Sequence, residues 1–317
     1  MRPSPPLRAL AILVAVLVCL LPSSGCGGGK KTKKGGGLTI AQRLERARAE
    51  KTPENQAREL VKVARIQFKS QDRMGAAKTL GEARQLIPEE GDASVRGARL
   101  VDVATLFAEM GEKAPAREVI GKAVAAAGAV EDPVAKASIL ADAAAVQGSK
   151  TTGLGDPAAA RRTLAEARTV AESVEERFRA KALAAVAAGC LAAGVTDVAG
   201  ELVAALEASA RALEDGRPKV EALVAAAKVH IEQKHAEAAK PLLTEAAAGA
   251  KAIEGNENRA YALVTVALAA SASGDKKTAT SLLKEAEKSA LKVGDADAQK
   301  NAAEKVRAAQ AEVDRKK

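Results

Sequence analysis

Few residues in this 317-residue sequence have the chemistry of a catalytic or metal site. The two histidines, His230 and His235, are five residues apart, whereas a helix places a metal-binding pair four residues apart. Cys190 lies in an apolar helical pattern, which is typical of a buried thiol without a neighbouring base. The many carboxylates alternate with Lys and Arg, as on solvated helix faces. We therefore expect no enzyme activity, no metal and no cofactor.

The N-terminus is organised as an export signal. A short basic stretch at 1–8 is followed by an apolar run at 9–21, which is shorter than the roughly 20 residues of a membrane-spanning helix. Residues 21–26, LPSSGC, resemble the lipobox of bacterial lipoproteins, with Ser23 where Leu is usual. The resemblance implies cleavage before Cys26, lipidation of that residue and, from Gly27 after it, anchoring to the outer membrane facing the periplasm.

Residues 27–37, GGGKKTKKGGG, have the composition of a flexible tether. The first 37 residues carry six Lys and Arg and no acid, which leaves the remainder of the chain with a formal net charge of +3. Three Phe, one Tyr and no Trp are too few aromatics to stack on bases. We expect a signal peptide at 1–25, a lipidated tether at 26–37, a helical domain at 38–317, and neither nucleic acid nor a small-molecule substrate as partner.

The domain at 38–317 contains an internal repeat of about 40 residues. A first apolar segment of the type Leu-Val-x-Val-Ala recurs six times, starting at Leu60, Leu100, Ile139, Leu183, Leu223 and Leu263. A second segment, small-x-x-x-apolar-x-x-small, recurs with nearly the same steps, starting at Ala76, Ala116, Ala160, Ala199, Ala239 and Ala279. Both have the spacing of one helix face, and Gly-containing turns separate them. Each unit is therefore predicted to be a helix A, a tight turn and a helix B, with an insertion at 149–155 in the third unit.

The last unit resembles a tetratricopeptide repeat (TPR), in which small residues let helices A and B cross closely. The residues that carry the resemblance are Leu263, Ala267, Gly274, Ala279, Leu283 and Ala286. The large aromatics of that family are replaced by Leu, Val and Ile, and the period is about 40 rather than 34. The resemblance implies an all-α, right-handed α-solenoid of about six TPR-like repeats, with capping helices at 39–51 and 295–315. A HEAT-like array of helix pairs is the alternative.

The TPR pattern also implies an inner groove lined by helix A. Carried over, its positions are Arg58, Val61, Arg65, Phe68, Lys69, Val101, Leu140, Lys181, Val224, Lys228, Tyr261, Val264 and Leu268. Three of these, Arg58, Arg65 and Lys69, make its N-terminal end basic, which favours an acidic peptide or chain terminus. The alternative is that these cations are only solvated.

These observations favour a non-enzymatic, membrane-anchored scaffold for protein–protein interactions in the bacterial cell envelope. TPR-like lipoproteins similar to this chain serve envelope assembly, for example outer-membrane barrel insertion or pilus biogenesis. The alternative function is a binding module for an envelope polymer such as peptidoglycan. That function requires aromatic sugar platforms, and the groove contains a single Tyr.

Overall fold

The computed structural model describes residues 38–315, which form fourteen α-helices and no strand. Their bounds are α1 Ile40–Arg48, α2 Pro53–Lys69, α3 Arg73–Gln85, α4 Ala93–Glu109, α5 Lys113–Gly128, α6 Pro133–Gly148, α7 Pro157–Ser173, α8 Glu176–Ala193, α9 Thr196–Ala212, α10 Arg217–Glu232, α11 Ala236–Ala252, α12 Asn256–Ala272, α13 Lys276–Ala290 and α14 Ala296–Arg315. The signal peptide, Cys26 and the tether lie outside the described residues.

The helices alternate between two roles along the chain. Helices α2, α4, α6, α8, α10 and α12 are the A helices of repeats 1 to 6, and each packs against the B helix that follows it. Each A helix also contacts the next A helix, while α1 and α14 cover the two ends of the stack. The predicted all-α helical repeat solenoid with terminal capping helices is therefore confirmed.

One large apolar side chain occupies the same buried position in every A helix. These residues are at most 6% exposed: Leu60, Leu100, Leu140, Leu183, Leu223 and Leu263. The sequence-based register placed Ile139 in the third unit, which is wrong by one residue. Between equivalent core positions, the segment Leu140–Ala160 is four residues longer than in the other repeats and the segment Ala160–Leu183 is one residue shorter, so the sequence alone permits either alignment.

Five of the six turns between helices A and B use one hydrogen-bond pattern. In repeat 2, the Gly111 N–H donates to the Ala108 carbonyl and the Glu112 N–H donates to the Phe107 carbonyl at 2.9 Å each. This is a Schellman motif, which requires a left-handed residue after the helix. Gly111, Gly194 and Gly274 have positive φ as predicted, whereas Gln71 and Lys234 adopt the same conformation without being glycine.

Three helices begin after a capping residue that is followed by Pro. The side chains of Thr52, Asp132 and Asp156 each accept a hydrogen bond from the first turn of their helix, and Pro follows each of them. Helix α10 differs: it begins at Arg217, with Pro218 next, follows Gly216 and has no side-chain cap.

The insertion at 149–155 folds back onto the end of α6. The backbone N–H groups of Leu154 and Asp156 donate to the carbonyls of Val146 and Gln147, at 2.8 and 2.7 Å. The side chain of Leu154 is buried. The four extra residues therefore satisfy the terminal carbonyls of α6 and add to the core.

Helices α6 and α8 approach each other at two glycines. A Cβ on Gly189 would lie 2.6 Å from the carbonyl oxygen of Ala141, and one on Gly148 would lie 2.6 Å from that of Ala193. These atoms belong to the backbone, so a local side-chain movement does not relieve the overlap. The close packing of repeats 3 and 4 therefore depends on the absence of side chains at both positions.

Replacing one of these glycines is expected to destabilise the fold. Gly189→Ala should lower the free energy of unfolding by about 1–3 kcal/mol through overpacking, measured by urea denaturation. Gly121→Ala is the matched control, because Gly121 is exposed in α5 with open space at its Cβ. It should raise stability by about 0.5–1 kcal/mol. Equal effects of the two substitutions would contradict the packing argument.

Candidate binding surface

The exposed sides of the A helices form a continuous surface, called here the inner surface. Each A helix is covered by its own B helix and by the A helices of adjacent repeats, which leaves one side of each uncovered. In α2 the uncovered positions are Arg58, Lys62, Arg65 and Lys69. Their spacing of four, three and four residues places all four on one helix face.

The N-terminal end of the inner surface is basic. We call the cations there the basic face: Arg58, Lys62, Arg65, Lys69 and Arg99, which line one shallow open depression. The Arg65 guanidinium bridges to both carboxylate oxygens of Glu109 in the next repeat, at 3.0 and 2.7 Å. Lys69 makes no ion pair with any residue in the described range 38–315.

Three carboxylates partly neutralise the basic face. Glu59 accepts from Lys62 at 2.7 Å and from Arg58 at 3.2 Å, and the hydrogen bond from Lys62 is the main reason that the pKa of Glu59 is lowered. Asp102 accepts from Arg99 at 2.7 Å. With Glu109 this makes three acids against five cations, so the depression keeps a surplus of positive charge.

Several residues assigned to the groove are buried instead. The structure places five of them in the core: Val61, Val101, Leu140, Val224 and Val264. Leu140 is buried because the third unit is shifted by one residue. The four valines are buried and support the inner surface from beneath, and Val61 also lines the depression at the basic face.

The other predicted groove residues do reach the surface. Lys69, Lys181 and Lys228 are exposed, whereas Arg58, Arg65, Phe68, Tyr261 and Leu268 are half-buried. In repeat 4 the positions equivalent to Lys62, Arg65 and Lys69 are Ala185, which is half-buried, and Ala188 and Ala192, which are exposed, so this part of the inner surface is lined by small side chains.

At the C-terminal end, the single tyrosine is already in contact with a cation. The Arg217 guanidinium lies over the Tyr261 ring at 5.5 Å from its centroid and pairs with Glu221 at 2.7 Å. This arrangement occupies one face of the ring.

Two acidic residues missed by the groove assignment face each other between repeats 2 and 3. Asp102 in α4 and Asp142 in α6 are forty residues apart, at equivalent positions. The pKa of Asp142 is raised, first because packing of adjacent helices removes part of its hydration and second because Asp102 carries the same charge. The carboxylate of Asp142 nevertheless remains open to solvent. Both aspartates occupy the same position within their repeats, and this recurrence in the sequence is the signal that could have identified them.

The residues with catalytic potential are not brought together. His230 contacts Glu207 at 2.8 Å, and its ring centroid is 6.5 Å from that of His235. Within residues 38–315 no group of three or more His, Cys, Asp or Glu side chains has metal-binding geometry. Cys190 is fully buried, and burial raises the pKa of its thiol to about 12.

Comparisons with known proteins give a fold neighbour and no family. No family model matches the chain, and no curated protein matches it. A solved structure of Ton1535 from Thermococcus onnurineus NA1 aligns with 83% of this chain and 94% of that chain at 12% identity, with a TM-score of 0.41. Separately, none of the helices in the described part of the chain combines the length and apolar character needed to cross a bilayer.

The burial of Cys190 predicts an unreactive thiol. In a Cys19→Ser/Cys26→Ser background at pH 8, a pKa of about 12 against the usual 9.0 leaves the thiolate about a thousandfold less populated, and burial restricts access further. A thiol reagent should label Cys190 slowly in the native chain and rapidly in urea. Rapid labelling of the native protein would contradict this placement.

Proposed function

We propose that this protein is a TPR-like, non-enzymatic scaffold that is anchored in the bacterial cell envelope and binds protein segments on its inner surface. The observation that carries the proposal is the inner surface itself, which extends over six A helices without converging on a polar cavity. Solenoids of this architecture present extended surfaces that suit elongated partners. The partner class follows from the charge surplus of the basic face, which favours an acidic segment.

The packing supports a TPR-like assignment over the HEAT-like alternative. The small residues on which the resemblance rests, Ala267, Ala279 and Ala286, are all fully buried. Gly274 occupies the left-handed position of the turn. Small residues at these positions allow close helix crossing, as the TPR pattern requires.

The membrane anchor is supported by the sequence alone. Residues 9–26 combine an apolar segment, small residues and Cys26 in the order of a lipoprotein signal. Two or three acyl chains hold a protein on a membrane far more stably than one. The Gly-rich stretch 27–37 is long enough to separate the helical domain from the bilayer.

Lipidation can be tested at Cys26. Wild-type chain expressed in a Gram-negative host should incorporate labelled palmitate and sediment with membranes. Cys26→Ser should lose both properties, because the acceptor thiol is removed, while Cys19→Ser should retain them. Labelling that persists in Cys26→Ser would refute this anchor and leave the inner-surface proposal unaffected.

Binding to the basic face can be tested by charge reversal. Arg58→Glu, Arg65→Glu and Lys69→Glu together should weaken capture of an acidic envelope partner by at least about tenfold. Lys113→Glu, Arg117→Glu and Lys122→Glu in α5 change the net charge equally on exposed positions of a B helix and should leave capture unchanged. The measurement is quantitative mass spectrometry of proteins captured from solubilised envelopes.

The same variants separate the scaffold from the polymer-binding alternative. Cosedimentation with purified peptidoglycan tests that alternative directly. Loss of protein partners in the inner-surface variant alone supports the scaffold. The scaffold function would be refuted if the α2 and α5 charge-reversal variants lost protein partners equally, or if the chain bound peptidoglycan and captured no protein.

A further inference from the structure

Polar side-chain contacts join most neighbouring repeats of the stack. Between repeats 1 and 2, Arg65 pairs with Glu109 and Arg84 pairs with Glu118. Other junctions have equivalent contacts: Arg161–Asp197 and Arg168–Glu201 between repeats 3 and 4, Arg211–Glu245 and Gln233–Thr196 between repeats 4 and 5, and Arg217–Asn258 and Lys251–Glu285 between repeats 5 and 6.

The junction between repeats 2 and 3 differs from all of these. Among residues 38–315 its one polar side-chain contact runs from Lys136 Nζ, in the first turn of α6, to the carbonyl of Gly128, the last residue of α5, at 3.5 Å. Apart from this long contact, no side-chain hydrogen bond or ion pair of the described chain joins the helices of repeat 2 to α6 or α7.

The sequence explains why these contacts are missing. Gly128 stands at the position of Arg211 and Lys251, opposite Glu166, so Glu166 has no cation to pair with. Val124 stands at the position of Arg84 and therefore cannot pair with an acid in α7.

The charges that do face each other at this junction repel. Asp102 and Asp142 lie at equivalent inner-surface positions of repeats 2 and 3, and Asp142 makes no ion pair with a described residue. Asp102 is close enough to disfavour the charged form of Asp142, which contributes to the raised pKa of that residue. Asp102 also pairs with Arg99 of its own helix at 2.7 Å, which reduces this repulsion, and what remains of it favours separation of α4 and α6.

Apolar packing remains at the junction but restrains its angle weakly. Ile139 of α6 packs against Gly97 of α4, 3.1 Å from the position of a Cβ there. Apolar contacts are non-directional, whereas hydrogen bonds weaken steeply when their angle changes. The other junctions have both apolar contacts and directional polar contacts, whereas the junction between repeats 2 and 3 has mainly apolar contacts.

We propose that the junction between repeats 2 and 3 is the hinge of the solenoid, about which repeats 1 and 2 move relative to repeats 3 to 6. Its motion changes the distance between α4 and α6 on the inner surface, next to the basic face. A ligand that contacts both sides therefore restricts the hinge. The inference concerns the motion of the stack and stands whether or not the proposed function is correct.

Spin-label distances in the full chain test the hinge. In a Cys19→Ser/Cys26→Ser background, one label pair at Ala125→Cys and Ala165→Cys spans the junction of repeats 2 and 3. The control pair, Ala208→Cys and Thr244→Cys, occupies the equivalent exposed positions of repeats 4 and 5. The distance distribution of the pair across repeats 2 and 3 should be roughly twice as wide as that of the control pair, because directional contacts are missing between repeats 2 and 3. Equal widths of the two distance distributions would by themselves overturn the hinge proposal.

A second variant tests whether the missing contacts are the cause. Gly128→Lys with Asp142→Lys gives cations to Glu166 and Asp102 at two exposed positions, and should narrow the first distribution to the width of the control pair. Gly128→Gln with Asp142→Asn is the neutral control and should narrow it less. Two results would show that the missing contacts are not the cause of the wider distribution. One is a distance distribution that does not narrow in a double-Lys variant that still unfolds cooperatively. The other is equal narrowing in the double-Lys variant and the neutral control.

Discussion

The structure depends on how closely helix backbones can approach when their contacts are alanine and glycine. Alanine buries little apolar area, so each contact contributes little transfer free energy. Close packing must therefore supply more of the stability, through many short contacts between helices. Gly148 and Gly189 are the extreme case, because a single methyl group at either position would overlap a backbone oxygen.

As a result, one set of contacts holds the repeats together and another set restrains the angle between them. The apolar core holds each repeat on its neighbours, as nearest-neighbour stacking requires. Exposed ion pairs each contribute about 0–1 kcal/mol, so they add little to cohesion. Their directionality instead restrains the angle between repeats. A junction without them remains stacked but has fewer restraints on its angle.

The same architecture distributes the surface side chains along the stack. A helices expose one side along the whole stack, so functional side chains are spread over successive repeats. Cys190 is enclosed by the packing, and His230 contacts Glu207 between adjacent helices. At the basic face five cations lie near three acids, Glu59 of α2 and Asp102 and Glu109 of α4, so a surplus of positive charge remains there.

The sequence by itself determined the helix pairs, the turns at Gly111, Gly194 and Gly274, and the number of repeats, because each follows from local spacing. It also indicated the basic end through Arg58, Arg65 and Lys69. Only the tertiary structure decided that Leu140 belongs to the core, that Val224 and Val264 lie beneath the inner surface, and that no ion pair of the described chain joins repeats 2 and 3. These facts depend on which neighbouring helix covers a residue, and one-dimensional periodicity contains no information on that.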